Sequence, residues 1–231
     1  MSKGEFTVFE RYTLSKEDVS EIKNFLRVLY QDYEFSSVIK SGRNRGSFHV
    51  WERDNKDKIT DDYYTSDFDI CSGAARMVIL YKRWAIKIPF EYNASVAARY
   101  GNFCEEEYLN YEYARKEGLE DFFAPCAKCK RVYFGKHISC PVYVMPRLYV
   151  NEPYADSVAE NSESKLLDDD EYSGSYDLLN TIEIMSSWWN DEDVKKLLAF
   201  CEDNGINDLH YENFGFDKDT DQPYLIDYAG F

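Results

Sequence analysis

The chain reads NDLHYENFGFDKDTDQPYLIDYAG over residues 207–230, and this stretch decides the fold. Two short apolar runs, Phe214–Phe216 and Tyr224–Ile226, have the composition of β-strands. The segment between them, residues 217–223, is too polar to bury and has the residue types of a turn. The pattern therefore predicts a β-hairpin, and a hairpin brings the residues at its open end together.

Three oxygen-bearing side chains fall at that open end: Asp208, Asn213 and Asp227. Two carboxylates and an amide are hard ligands of the kind that Mg²⁺ prefers. A carboxylate in such a group can also act as a general base. The stretch therefore predicts a site for a metal ion and for proton transfer.

Two motifs in this stretch resemble those of the protein-kinase-like phosphotransferases. The run DLHYEN, from Asp208 to Asn213, is similar to their catalytic loop Asp-x-x-x-x-Asn, in the Asp-Leu-His form of the aminoglycoside phosphotransferase type. The run IDYAG, residues 226–230, resembles their metal-binding Asp-Phe-Gly segment. The resemblance implies that Asp208 orients or deprotonates an acceptor hydroxyl, and that Asn213 and Asp227 hold Mg²⁺.

An earlier predicted hairpin carries a second part of the resemblance. Its strands are Met77–Leu80 and Trp84–Pro89, and the second contains Lys87 among apolar neighbours. An ammonium group in such surroundings is costly unless it meets an anion. The run WAIK, which ends at Lys87, resembles the Val-Ala-Ile-Lys strand of kinases, whose Lys contacts nucleotide phosphates. Gly73 stands where the kinase Gly-rich loop lies, although only one Gly is present.

The next predicted helix, Asn102–Glu117, contains three consecutive glutamates. Kinases place here a Glu that pairs with the strand Lys and directs it at the phosphates. The spacing from Lys87 allows Glu106 or Glu107. We prefer Glu107, because Tyr111 follows one helical turn later on the same side.

A predicted strand over residues 138–148 ends in a segment that resembles the kinase hinge, whose backbone groups hold adenine. The resemblance implies nucleotide contacts from Met145, Arg147 and Leu148. Pro146 lacks an N–H group, so a backbone donor must come from a neighbour such as Leu148.

Together these features predict an α+β protein of protein-kinase-like fold. We expect an N-lobe with an antiparallel sheet and a C-helix, followed by a reduced helical C-lobe, since only Phe231 follows the Asp227 segment. The expected parts are a helical extension and linker (1–67), the N-lobe (68–150), an acidic flexible insertion (151–175) and the C-lobe with the catalytic loop and hairpin (176–231).

Outside these motifs the sequence predicts mainly helices. A capping box and apolar residues at helical spacing predict a helix over Lys16–Gln31. Ser47–Glu52 could be a strand, and Arg53–Asp62 is charged enough to be solvated. A helix over Tyr176–Trp189 is followed by an amphipathic helix that Asn190 begins.

The composition limits the choice of partners. The 231 residues include 27 Lys and Arg but 43 Asp and Glu, so the net charge is −16. Such a charge disfavours nucleic acids and anionic membranes. The sequence shows no membrane-spanning run, no signal-peptide core and six scattered cysteines, which predicts a cytoplasmic protein with reduced thiols. The expected partners are ATP with Mg²⁺ and an unknown small-molecule or protein acceptor.

The sequence suggests two further metal sites, and each group of residues also has a simpler explanation. Cys126, Cys129, His137 and Cys140 have the chemistry of a zinc site. However, His137 and Cys140 would lie an odd number of residues apart on one strand, on opposite faces, so reduced and partly buried thiols are the better explanation. The alternating acids from Asp217 resemble a calcium loop, but the sixth position lacks Gly and the twelfth lacks Glu. A solvated turn accounts for them.

The sequence is compatible with three functions. The first is an ATP–Mg²⁺-dependent phosphotransferase. The second is a pseudokinase or protein-interaction module that keeps the fold without turnover, which the single Gly and the altered catalytic loop favour. The third is an acidic decoy for basic partners, which only the net charge of −16 suggests.

Overall fold

A computed structural model describes residues 14–63, 68–73, 75–91, 102–135, 138–150, 166 and 176–229. These residues form six α-helices, a five-stranded antiparallel sheet and a two-stranded sheet. The predicted α+β class with an antiparallel sheet is therefore confirmed. The chain divides into two units: unit 1 comprises Met1–Tyr108 and Pro125–Arg147, and unit 2 comprises Leu109–Ala124 and Leu148–Phe231. The four-part division expected from the sequence stays a prediction, and all of its acidic insertion except Leu166 lies outside the described residues.

Unit 1 is built on the five-stranded sheet, whose strand order is β1–β2–β3–β5–β4. The strands are β1 (Phe68–Ser72), β2 (Arg76–Tyr81), β3 (Trp84–Pro89), β4 (Ala127–Gly135) and β5 (Ile138–Pro146). Three helices precede the sheet: α1 (Lys16–Asp32), α2 (Ser36–Lys40) and α3 (Arg45–Tyr63). Helix α4 (Phe103–Glu117) begins in unit 1 and ends in unit 2.

The two faces of the sheet differ in chemistry because side chains alternate along each strand. Ile79 pairs with Ile86 and Met77 with Ile88, so these residues share one face. That face packs against α1, α2 and α3 in a single hydrophobic core. Phe25 of α1, for example, stacks on Tyr81 with ring centroids 3.8 Å apart. The opposite face carries Lys87.

The N-terminal helices are better defined than the sequence indicates. The predicted helix over Lys16–Gln31 is confirmed as α1, with the Ser15 and Asp18 capping box in place. The strand interpretation of Ser47–Glu52 is wrong, since these residues lie in α3. Phe48 is completely buried there, whereas Val50 is 52% exposed. In a strand these two side chains would share a face.

Unit 2 contains α5 (Tyr176–Ser186), α6 (Asp191–Asp203) and the hairpin of β6 (Phe214–Phe216) and β7 (Pro223–Leu225). The predicted hairpin and both helices are confirmed. Asn190 caps α6 by accepting a hydrogen bond from the backbone N–H of Asp193. Gly205 follows with a φ of +69°, a conformation that favours glycine, and the chain then turns into the Asp208 loop.

In the part of the chain that the structure describes, no helix combines the length and the apolarity that a membrane crossing needs.

Candidate functional site

Lys87 and Glu107 form a buried ion pair in unit 1. The Lys87 Nζ atom lies 2.9 Å from Glu107 Oε1 and 3.0 Å from Oε2, so the carboxylate accepts from it with both oxygens. Lys87 is 6% exposed and Glu107 is 0% exposed. Charges buried to this degree are tolerated only when they are paired. Of the two glutamates that the sequence left open, Glu107 is the one that contacts Lys87.

Arg76 is a second cation at the same carboxylate, and the sequence analysis gave it no role. Its Nη1 atom forms an ion pair with Glu107 Oε1 at 2.8 Å, and the residue is 7% exposed. The strand register explains the placement, since Arg76 lies opposite Pro89, two residues beyond Lys87 and therefore on the same face. This contact needs the register of β2 on β3, which a linear motif does not contain.

A polar cluster fixes the first turn of α4 to the sheet. Glu105 accepts hydrogen bonds from Lys128 of β4, at 2.7 and 2.5 Å, and from the Tyr143 hydroxyl of β5. Asn102 joins it by donating to that hydroxyl at 3.2 Å. Burial alone raises the pKa of Glu105, but the bonds from Lys128 and Tyr143 outweigh burial and hold this pKa below its usual range. The cluster keeps the start of the helix, and with it Glu107, in a fixed position.

Burial disfavours the thiolate form of three cysteines in unit 1. Burial raises the pKa of Cys104 to about 12 and that of Cys126 well above its usual value. Burial also raises the pKa of Cys140 to about 12. Across the described residues, no group of three or more His, Cys, Asp or Glu side chains is arranged to hold a metal ion. His137 of the zinc hypothesis lies outside those residues, so the hypothesis stays untested.

Apart from Lys87, the predicted nucleotide-binding residues of unit 1 lie at or next to strand ends. Gly73 follows β1 and donates its N–H to the Arg76 carbonyl at 3.1 Å. Among the described residues, a Cβ atom at Gly73 would meet no atom within 4 Å. Met145 is buried in β5, and the N–H of Arg147 donates to the Arg83 carbonyl at 2.8 Å.

In unit 2, Asp208 and Asn213 are joined through the backbone. Asn213 Nδ2 donates to the Asp208 carbonyl at 2.6 Å, which closes the loop between the two residues. The Asp208 side chain is partly exposed, and its Oδ1 atom lies 3.4 Å from His210 Nε2. His210 was quoted in the sequence motif without a role, and this contact can orient the carboxylate.

Hydrogen bonds fix both chain neighbours of Asp227. The N–H of Ile226 donates to the Asn213 carbonyl at 2.9 Å. On the other side, the Tyr228 carbonyl accepts from Asn110 Nδ2 at 2.8 Å, and the Tyr228 hydroxyl donates to the Ala124 carbonyl at 2.6 Å. Asp227 is therefore held by its backbone, although its own side chain is only half-buried. Asn110 is a contributor that no sequence motif indicated.

Gly215 is required by close packing in the hairpin. A Cβ atom there would lie 2.6 Å from the Cβ of Leu148 and 2.9 Å from Cγ2 of Ile226. Tyr149, the next residue after Leu148, exchanges two backbone hydrogen bonds with Phe216 at 2.9 and 2.8 Å. Leu148, predicted to contact the nucleotide, thus packs against the hairpin within unit 2.

Asn213 and Asp227 of unit 2 carry oxygen donors of the kind that Mg²⁺ prefers. Because Nδ2 of Asn213 faces the Asp208 carbonyl, its Oδ1 atom faces the other way. That oxygen and the Asp227 carboxylate are hard donors. The N–H of Ile226, the residue before Asp227, donates to the Asn213 carbonyl and so links the two segments. Mg²⁺ commonly takes only one or two protein ligands and completes its shell with water and phosphate oxygens. Unit 2 therefore brings together Asp208, Asn213 and the Asp227 segment, as unit 1 brings together Lys87 and Glu107.

Comparison with known proteins gives limited similarity. The chain matches no protein-family model and no curated protein. It is similar to solved structures of WbdD, a bifunctional kinase-methyltransferase. A structure of WbdD with a kinase inhibitor is 18% identical to this chain, with a TM-score of 0.35. The match covers 71% of this chain and 32% of the WbdD chain. A high-resolution structure of WbdD is 15% identical with a TM-score of 0.35, and covers 70% and 32%.

Similarity at this level, with TM-scores of 0.33 to 0.35, establishes neither a shared fold nor a shared function. The chain also spans only about a third of the length of the WbdD chains.

Proposed function

We propose that this chain is an ATP–Mg²⁺-dependent phosphotransferase of protein-kinase-like fold that acts on a hydroxyl acceptor. In this proposal Lys87, positioned by Glu107, binds nucleotide phosphates. Asp208 orients and deprotonates the acceptor, and Asn213 and Asp227 hold the metal. Gly73, Met145, Arg147 and Leu148 contribute to the nucleotide site.

The observation that carries the proposal is the buried pair of Lys87 and Glu107. Replacing a buried ion pair by apolar residues of similar size is often neutral or stabilising for a protein. A lysine in this position therefore calls for a further reason, and phosphate binding supplies one. The strand and helix that carry the pair stand in the order and spacing that kinases use.

The residues of unit 2 support the second half of the proposal. Asp208 is partly exposed, so a substrate hydroxyl can reach its carboxylate, and His210 at 3.4 Å can keep that carboxylate oriented. Asn213 and the Asp227 segment present oxygen donors from a backbone that hydrogen bonds already fix. Bound Mg²⁺ would supply positive charge to the phosphate oxygens.

The test is Mg²⁺-dependent ATP turnover, measured with a panel of hydroxyl acceptors and without added acceptor to detect autophosphorylation. Asp208→Ala and Asp227→Ala should each reduce turnover by at least about 100-fold. Asp219→Ala, in the polar turn of the hairpin, is the matched control and should turn over at the wild-type rate. Equal turnover in all four proteins would overturn the proposal.

A pseudokinase or protein-interaction module is the second candidate, and the single glycine of the predicted phosphate loop favours it. Gly73 is the one glycine in this turn. A glycine-rich phosphate loop uses several glycines to bring its backbone close to the ligand. A thermal shift with ATP and Mg²⁺, together with no turnover on any acceptor, would select this candidate.

A further inference from the structure

Arg76 belongs to the buried ion cluster that Lys87, Glu107 and Arg76 form in unit 1, and the proposed function gives it no role. It begins β2, faces the same side of the sheet as Lys87 and is almost completely buried. Its guanidinium contacts Glu107 Oε1 at 2.8 Å, and the same oxygen accepts from Lys87 at 2.9 Å. One carboxylate oxygen is thus shared between two cations.

We propose that Arg76 is a positioning residue that keeps Glu107 paired while Lys87 binds a nucleotide phosphate. This inference rests on the proposed function and adds a residue to that same site. Arg76 does not touch the phosphate in this scheme; it acts through Glu107.

The physical argument concerns the charge of Glu107. This side chain is fully buried, and a buried carboxylate that loses its counter-ion is strongly destabilised. When Lys87 directs its ammonium towards a phosphate, its bonds to Glu107 weaken. Arg76 is always charged and is fixed in a strand, so it still compensates Glu107 at that moment. Nucleotide binding then does not expose Glu107 to the full cost of an unpaired charge.

The backbone of Arg76 gives this residue a second connection to the site. Its carbonyl accepts a hydrogen bond from the N–H of Gly73 at 3.1 Å, which ties the turn between β1 and β2. The residue proposed to lie near the phosphates and the carboxylate that positions Lys87 are therefore both fixed to Arg76. A shift of Arg76 would move both.

The test compares the affinity for ATP with the affinity for adenosine by calorimetric titration in the presence of Mg²⁺. Adenosine lacks the phosphates, so its binding does not draw Lys87 away from Glu107. In Arg76→Met the preference for ATP over adenosine should fall at least about 10-fold, while adenosine affinity stays at the wild-type value. Arg76→Lys, which restores a charge, should recover most of the preference.

Arg83→Met is the matched control, because Arg83 is a more exposed arginine of the same unit whose ion pair, at 2.6 Å, is with Asp18 and not with Glu107. It should leave the preference for ATP unchanged. Should Arg76→Met not fold, Arg76→Gln removes the charge with less change in polarity and serves in its place. An unchanged preference for ATP in the folded variant would overturn the role of Arg76. A wild-type protein without any preference for ATP would instead overturn the proposed function.

Discussion

The two groups of predicted site residues are held in different ways. In unit 1, Arg76, Lys87 and Glu107 are buried, and both cations contact the Glu107 carboxylate. In unit 2, the half-buried Asp208 and Asp227 are positioned by hydrogen bonds that involve the backbone. In unit 1 the site charges are therefore part of the packed interior. In unit 2 the Asp208 and Asp227 carboxylates can be replaced with little effect on packing. Substitutions in the two units should therefore separate stability from activity.

The largest difference is expected between Glu107→Gln and Asp208→Asn. Glu107→Gln removes the buried carboxylate that Lys87 and Arg76 share and should lower the free energy of unfolding by about 3–5 kcal/mol. Asp208→Asn removes a partly exposed charge and should change it by no more than about 0.5 kcal/mol. Urea denaturation measures both values. Similar losses of stability in the two variants would show that the contrast between the units is wrong.

A second comparison uses glycines. Gly215→Ala places a Cβ atom 2.6 Å from the Cβ of Leu148, so the hairpin must shift, and we expect a loss of about 1–3 kcal/mol. The Cβ atom of Gly73→Ala meets no atom within 4 Å in the described part of the chain, and this variant should change stability by less than about 0.5 kcal/mol. Thermal unfolding of both variants is the measurement. A Gly215→Ala protein as stable as the wild type would contradict the packing described for the hairpin.

The backbone support of Asp227 predicts a smaller effect. Tyr228→Phe removes the hydroxyl that donates to the Ala124 carbonyl at 2.6 Å and should cost about 1 kcal/mol. Because Asp227 is the next residue, the Mg²⁺ concentration that supports half-maximal turnover should also rise. Tyr133→Phe, at an exposed position of β4, is the control and should change neither quantity. An equally large rise in the Mg²⁺ requirement of Tyr133→Phe would contradict the role of the Tyr228 hydroxyl in positioning Asp227.

The smallest effect is a pH dependence. Burial raises the pKa of Cys201 from 9.0 to about 12. Because the folded pKa is raised, the stabilisation by this thiol is present below pH 9.0 and is lost as the pH rises towards about 12. The loss begins near pH 9.0, as the thiol starts to ionise in the unfolded chain, and becomes steeper above that pH.

Cys201→Ala should therefore show a shallower decline in the free energy of unfolding above pH 9.0 than the wild type. The absolute stability of the variant is not informative, because the substitution also removes packed volume. Parallel declines in the two proteins would mean that the thiol ionises equally in the folded and unfolded chains.

The sequence predicted the elements with strong local signals. The capping box at Ser15 and the helical spacing after it give α1, and the polar turn after Phe216 gives the hairpin. The segment around Phe48 was misleading because Phe48 and Val50 alternate like a strand over a short window. The longer spacing of Phe48, Trp51 and Ile59, all buried, is helical and decides the outcome.

The site was predictable where one residue type at one position carries the chemistry. Lys87 stands out as a charge in an apolar strand, and the helix spacing reduced its partner to two candidates. The contacts of Arg76 and Asn110 could not be predicted in this way. Arg76 meets Glu107 only through the pairing of β2 with β3, and Asn110 meets the Tyr228 carbonyl across 118 residues of chain.

The most direct test of the account is a calorimetric titration of ATP with Mg²⁺ into the wild type and Lys87→Ala. Circular dichroism first confirms that the variant is folded. We expect the wild type to bind, and Lys87→Ala to bind at least about 10-fold more weakly, since a charged hydrogen-bonding partner of the phosphates is lost. No binding by the folded wild type, or equal affinity in the two proteins, would contradict the account.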